Sequence, residues 1–467
     1  MSKKRNIIYL LLITAVAAFL RIYKIGTNYY FTGELGREFL YIRQLMQSHT
    51  FPLVGLTTSH EWLTYGPIYY WILIPLVKIF GTSPFILFWL AFAVSIIGIL
   101  VTYFVFSKIV NEKFAMILSF FVSVSPLWIS MARLSKLHTF FFILIPLSIY
   151  FLYKIWNKET KYIFWLGISF GLLFSFHYSQ IPIFGVIFLV FWLKRRSFKI
   201  KDYIKFIVAL IIPNITIFIY DAGQKFSMTK NLILWIPYRF AGFFGLYPKN
   251  NLSVATGGST LSAFNQFFGE NLFWNKDLWI LGSVIFGILF IAFIAQNWRK
   301  FTKDFLTFYV ISSTVIQCLA LLILTTPPIH YFLPIFLNFG LMFSFFVYQN
   351  WQRKSTRILT IFIFVLMFMA GIFGLNSEHV NDTDYIPLKI QEGVSSAIVK
   401  DADGKPFSLI RVGPYDYFPE TYDQNYQFLI LNKGGKIDQS AKLRYIIYDV
   451  GTVYVQKNEE STNTYIK

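Results

Sequence analysis

Apolar residues run along this chain in blocks close to the ~20 residues that a helix needs to cross a bilayer. The blocks fall at about 6–24, 84–107, 113–131, 138–156, 161–178, 181–193, 203–221, 277–297, 304–325, 330–349 and 357–375. A further block, Ile68 to Phe80, is short for a crossing and reads as re-entrant or interfacial. Beyond residue 375 the chain turns polar and near neutral, with period-two alternation at Phe407–Val412 and Tyr445–Val455. That change predicts a small α/β domain over 376–467, following a transmembrane domain over 1–375.

Basic clusters orient the blocks, because short loops rich in Lys and Arg stay cytoplasmic. Lys3-Lys4-Arg5, Lys194-Arg195-Arg196 with Lys199, Lys201 and Lys205, Arg299-Lys300-Lys303, and Arg353-Lys354-Arg357 must share one side. Parity then holds only if 25–83 stays wholly outside, so Ile68–Phe80 does not cross. The expectation is a polytopic α-helical membrane protein with about eleven transmembrane helices, N-terminus in and C-terminus out. Its outer face carries a first loop at 25–83, a long loop at 222–276 and the small α/β domain. The acids left on the cytoplasmic side are only Glu112, Glu159, Asp202 and Asp304. The first block continues through Leu20, past the small residues Ala15-Val16-Ala17, which favours an uncleaved helix over a signal peptide.

Composition agrees. The 467 residues are 56% hydrophobic, 20% aromatic and only 14% charged, where soluble domains carry about 25% charge. A disordered, collagenous or disulfide-stapled chain is excluded, and the single cysteine, Cys318, removes internal disulfides and Cys-based zinc sites. Most of the net charge of +19 falls in the segments assigned to the cytoplasmic side and gives no reason to expect a nucleic-acid partner.

This topology gathers polar chemistry on the outer surface. Leu35, Phe39, Ile42 and Met46 recur at helical spacing in the first loop, with Glu34, Glu38 and Tyr41 on a neighbouring stripe. Two carboxylates one turn apart push one pKa upward while Arg37 pulls the other way, a setting for a general base. The plainer reading is a solvated interfacial helix with a Glu34–Arg37 ion pair. Arg133, Lys136 and Arg239 join Arg37 as outward cations, where snorkelling is the ordinary explanation. His177 with Tyr178, and His330 with Tyr331, sit at span ends. Trp62, Tyr65, Tyr69, Tyr70 and Trp71 could stack on a sugar face or form the aromatic belt. No His-x-x-x-His spacing is present, and no required metal or other cofactor is expected.

The segment Phe31-Thr32-Gly33-Glu34-Leu35-Gly36-Arg37-Glu38 looks like the Gly-Asp-Glu-Gly-Arg-Asp type of first-loop motif of family 39 glycosyltransferases. These are the bacterial and archaeal enzymes like dolichyl-phosphate-mannose protein mannosyltransferases, in the GT-C superfamily. The resemblance continues through Pro52-Leu53-Val54-Gly55 with Thr57-Thr58-Ser59, Gly66-Pro67-Ile68-Tyr69-Tyr70, Gly171 to His177-Tyr178, His330-Tyr331-Phe332-Leu333-Pro334 and Asp403-Gly404-Lys405-Pro406-Phe407. It implies a GT-C fold in the plasma membrane with an outward-facing site. There a sugar passes with inversion from a polyprenyl-phosphate donor to an extracytoplasmic lipid, glycan or protein acceptor. The family's essential acid maps onto Glu34 as the base, with Leu35 in place of the usual acidic or amide neighbour; Glu38, matching the motif's last acid, is the second candidate. Arg37, Arg133, Lys136 and Arg239 are then the cations to meet charge growing on the leaving phosphate, and Tyr65, His177, Tyr178, His330 and Tyr331 become possible substrate contacts.

Two rival readings come from other classes. A transporter or flippase of a lipid-linked sugar or small solute would be expected to show repeats, paired broken helices or acids within the spans, but no repeat or pair of broken helices is recognisable and acids within the spans are scarce. A non-enzymatic envelope scaffold built around 376–467 is the third.

Overall fold

The computed structural model describes residues 3–29, 31–58, 60–246, 260–323, 328–377, 386–413, 423–450, 452–459 and 462–466. Among them seven helices are long and apolar enough to cross a membrane: Lys4–Asn28, Phe85–Ile109, Leu137–Trp156, Ile200–Gly223, Lys276–Lys300, Phe305–Ile323 and Lys354–Asn376. Two bent pairs, Glu112–Val124 with Pro126–Arg133 (58°) and Ile329–Ile335 with Asn338–Gln349 (43°), raise the count to nine. The first bend falls where Ser125 turns extended and Pro126, lacking an N–H, opens the next helix. Helix therefore occupies every block of the eleven-span expectation, but Thr160–Phe176 and Tyr178–Leu193 are shorter than the other crossings. Ile68–Phe80 is also a short apolar helix.

The helices turn large apolar side chains outward as well as inward. Leu11, Ile97, Phe104, Ile288, Ile291, Ile361 and Phe362 are all exposed on the protein surface. In water this would be costly; against lipid tails it is the expected lining of a bundle. Inside, one continuous core runs from Ala17 and Leu20 through Phe88, Phe121 and Trp128 to Phe339 and Met342.

Among the described residues four strands follow the bundle: β1 (Ser408–Val412), β2 (Arg444–Val450), β3 (Thr452–Glu459) and β4 (Thr462–Ile466). They lie in the order β1-β2-β3-β4, with β1 parallel to β2 and the other pairs antiparallel. The alternation read from the sequence is visible in β2, where Tyr445, Ile447 and Asp449 are buried between half-buried neighbours. Helices Leu388–Ala402 and Gln424–Asn432 cover the sheet, and Ile398, Phe407, Tyr426, Ile430, Tyr445 and Ile447 form a small core of their own.

This unit is docked on the first loop. The Phe428 ring stacks on Phe39 with centroids 4.6 Å apart. Gln391 donates from Nε2 to the Phe31 carbonyl at 3.0 Å, and the Leu388 N–H donates to the Tyr29 carbonyl at 3.0 Å. The helix Gly33–Gln47 is thus held between the membrane bundle and the sheet unit.

Candidate active site

Thr32 opens the first-loop helix as its N-cap, its hydroxyl accepting the Leu35 N–H at 3.4 Å, and Glu34 lies in the first turn, where the helix dipole favours an anion. The Glu34 carboxylate is paired with the Lys136 ammonium. Lys136 reaches it because Ser135 adopts a left-handed conformation (φ 57°) that turns the chain out of the helix Pro126–Arg133. Lys136, followed by Arg37, holds the Glu34 carboxyl below the usual carboxylate range, although half of the side chain remains exposed. One turn on, Glu38 is buried and accepts the Tyr70 hydroxyl. Burial pushes its pKa up to about 7 against the downward pull of Tyr70 and Arg37. Two carboxylates on one stripe therefore differ in kind: Glu34 accessible and ionised, Glu38 enclosed and readily protonated.

A two-stranded turn delivers the next layer. Gly55 and Tyr65 pair through N–H to carbonyl bonds, Gly55 to Tyr65 at 2.8 Å and Tyr65 to Leu56 at 3.0 Å. The Gly66 N–H then donates to the Ser175 carbonyl at 2.8 Å, so close that a Cβ at Gly66 would run into the Ser175 side chain. Only glycine allows this approach, which carries Tyr65 to the end of the helix Ile163–Phe176. There the Tyr65 ring meets His177 (5.4 Å) and Tyr178 (6.4 Å), and the Tyr178 hydroxyl donates to the Thr64 carbonyl at 2.6 Å. His177 contacts His138 (4.7 Å), His330 (4.9 Å) and Tyr331 (5.5 Å) ring to ring.

Beyond these polar groups opens a cavity of about 660 Å³. Tyr65, His177, Tyr178, Tyr331, Gln317 and Arg239 supply its polar edge, and Trp62, Trp235, Ile316 and Phe240 stand among its apolar walls. Arg239 comes from the helix Ser227–Phe243, whose first N–H groups are taken up by the Asp221 carboxylate (Met228 at 2.8 Å, Thr229 at 2.9 Å). Its guanidinium lies 5.1 Å from the Trp235 ring centre.

Most residues singled out in the sequence thus converge. Glu34, Arg37, Glu38, Lys136 and Tyr65 form one electrostatic group, and His177, Tyr178, His330 and Tyr331 adjoin it. Arg239 arrives from the far wall. Arg133 has other work in this arrangement: it is buried and donates to the carbonyls of Arg21 (2.9 Å) and Tyr23 (3.0 Å), closing off the end of the first helix. Among the aromatics, Trp62 and Tyr65 reach the cavity, whereas Tyr69 and Tyr70 are buried and Trp71 donates to the Pro52 carbonyl at 3.1 Å. The pairing of Tyr70 with Glu38, and the place of His138 beside the other two histidines, were not legible in the sequence. Ser59 lies outside the described residues.

Comparison with known proteins follows the same line. Residues 64–220 match the family model for dolichyl-phosphate-mannose-protein mannosyltransferase. No curated protein matches the sequence. The structure is similar to ArnT from Cupriavidus metallidurans bound to undecaprenyl phosphate, with a TM-score of 0.62 at 11% identity over 96% of this chain and 93% of that one. It is also similar to the archaeal oligosaccharyltransferase AglB from Archaeoglobus fulgidus in complex with an inhibitory peptide and a dolichol-phosphate, with a TM-score of 0.51 at 12% identity over 96% and 69% of the two chains. Fold and family match together define a multi-pass membrane glycosyltransferase of the GT-C class. Within that class, the likeness to dolichyl-phosphate-mannose-protein mannosyltransferase extends over residues 64–220.

Proposed function

We propose that the protein takes a sugar from a polyprenyl-phosphate carrier and gives it, with inversion, to an acceptor hydroxyl at the outer face of the plasma membrane, Glu34 acting as general base. The observation that carries this reading is the link, through Tyr65, between an accessible, ionised carboxylate and an apolar cavity whose polar edge holds Tyr65, Arg239 and Tyr331. Support also comes from ArnT and AglB, whose structures hold undecaprenyl phosphate and dolichol-phosphate. In the step itself the acceptor oxygen bonds to the anomeric carbon as its proton passes to Glu34. The bond from that carbon to the phosphate oxygen breaks, and the electron pair leaves with the carrier phosphate. Arg239 meets the charge growing on that phosphate, and Lys136 holds Glu34 in place until an acceptor arrives. The apolar walls suit the polyprenyl chain.

Reconstituted protein given donor and acceptor should release free polyprenyl phosphate in step with glycosylated product. Movement of the intact donor across the bilayer without bond cleavage would instead mark a transporter or flippase.

The pH profile separates the two carboxylates. Glu34 is held below the ordinary range, so transfer through it should be flat from pH 8 down to about 5 and fall only at more acid values. Were Glu38 the base, its active, ionised form would appear only as pH rises through about 7, and the rate would climb there. Lys136→Met removes the main cause of the Glu34 depression and should move the acid limb to higher pH.

The same reading requires residues 1–375 to form the transmembrane domain and 376–467 to lie outside. A cysteine at Asn432 should react with an impermeant thiol reagent in intact cells, and one at Ser197 should not. The reverse pattern would overturn the orientation and the outward site.

A further inference from the structure

We propose that His138, His177 and His330 form a binding site for one divalent cation of the zinc class, set between the first-loop carboxylates and the cavity. The three residues are far apart in sequence and reach one point from separate elements. His138 lies in the short turn Leu137–Phe140 that follows Lys136, His177 caps the helix Ile163–Phe176, and His330 lies in the stretch Ile329–Ile335. Each pair of rings is in contact, at 4.7, 4.7 and 4.9 Å between centroids. One nitrogen of each lies within 4.8 Å of the others. The Nε2 of His138 is buried without a hydrogen-bond partner, a cost that a bound cation would remove.

The donor set chooses the metal. Imidazole nitrogens suit zinc and its neighbours in the transition series, and no carboxylate belongs to the trio to favour magnesium or calcium. Zinc–nitrogen bonds of about 2.0–2.1 Å place tetrahedral ligand atoms about 3.4 Å apart, so the three rings close inward on loading. The Nδ1 of His177 accepts the Ser179 N–H at 3.1 Å, which leaves the proton of the neutral ring on Nε2. For Nε2 to ligate, that proton moves to Nδ1 and the Ser179 contact opens, so the metal-bound and metal-free rings differ by a tautomer and not by charge. Lys136, two residues before His138, is already paired with Glu34. Three protein ligands leave a fourth position, and because His177 lines the cavity that position opens toward it. Resting on the proposed transfer reaction, the ligand received there is an oxygen of the carrier phosphate.

The test uses the full chain in detergent or nanodiscs, stripped with chelator and without donor or acceptor. Zinc titration followed by calorimetry should give about one site per chain, and cobalt in its place should give the visible absorption of tetrahedral, nitrogen-bound Co²⁺. Zinc should raise the melting temperature of the wild type and leave that of the His138→Gln/His330→Gln variant unmoved, the metal-free melting temperature of the variant showing whether it is folded. If the variant does not fold, the single His138→Gln change, expected to weaken zinc at least tenfold, takes its place. Absence of stoichiometric binding, or binding equally tight in the folded variants, would overturn the proposal. Either result is independent of whether the protein transfers sugar, so a failed transferase assay does not decide it.

Discussion

Glu34→Gln is expected to lower sugar transfer by ~10²–10⁴ while donor binding stays at the wild-type level. Glutamine keeps the size of the side chain and can still lie against Lys136, but it cannot take the acceptor proton. Single-turnover transfer measured beside donor affinity isolates this, since a lost base slows the chemical step and leaves Kd alone. Glu38→Gln should do less. That carboxyl is enclosed, pushed up to about 7, and engaged with the Tyr70 hydroxyl, all of which suit a residue that orients the helix. Should Glu34→Gln turn over within a few-fold of wild type while Glu38→Gln is dead, the role of base passes to Glu38. If neither change matters, the helix Gly33–Gln47 is an interfacial element and the chemistry lies elsewhere.

Gly36→Val is expected to loosen the sheet unit from the membrane bundle and to slow transfer together with it. A Cβ at Gly36 would meet the backbone of Gln424 and Asn425, and backbone cannot swing aside as a flexible side chain can. Overpacking of this kind costs about 1–3 kcal/mol, equivalent to about 5–150-fold in the population of the docked form. Gly36 lies between Glu34 and Glu38, so whatever shifts the docking helix Gln424–Asn432 also shifts both carboxylates. Limited proteolysis should cut between 377 and 466 faster in the variant, with transfer falling in parallel. Gly393→Ala, which would meet nothing within 4 Å, should leave both unchanged. Intact docking with lost transfer would show that Gly36 serves the site directly; unchanged behaviour in both assays would remove the sheet unit from any part in positioning Glu34.

The membrane bundle was legible in the sequence because its signals are local. A bilayer demands about 20 apolar residues per crossing, and basic loops mark their side within a few residues of each span. What blurred was the count: Ser125-Pro126 breaks one span, and Thr160–Phe176 and Tyr178–Leu193 are short where they flank His177. The first-loop helix was legible for the same reason, since Leu35, Phe39 and Ile42 mark its buried face by spacing alone, and all three are buried.

The roles of individual residues depended on partners that the sequence could not name. From composition Arg133 and Lys136 are equivalent outward cations three residues apart, yet the left-handed turn at Ser135 sends Lys136 to Glu34 while Arg133 stays with the carbonyls of the first helix. Glu34 and Glu38 are equivalent acids until Tyr70 and burial raise one and Lys136 lowers the other. No short motif announces His138, His177 and His330, because three loops from different parts of the chain bring them together. Hydrophobic length, which acts along the chain, marked this as a polytopic membrane protein; burial and pairing between residues distant in sequence decided what each side chain at its site can do.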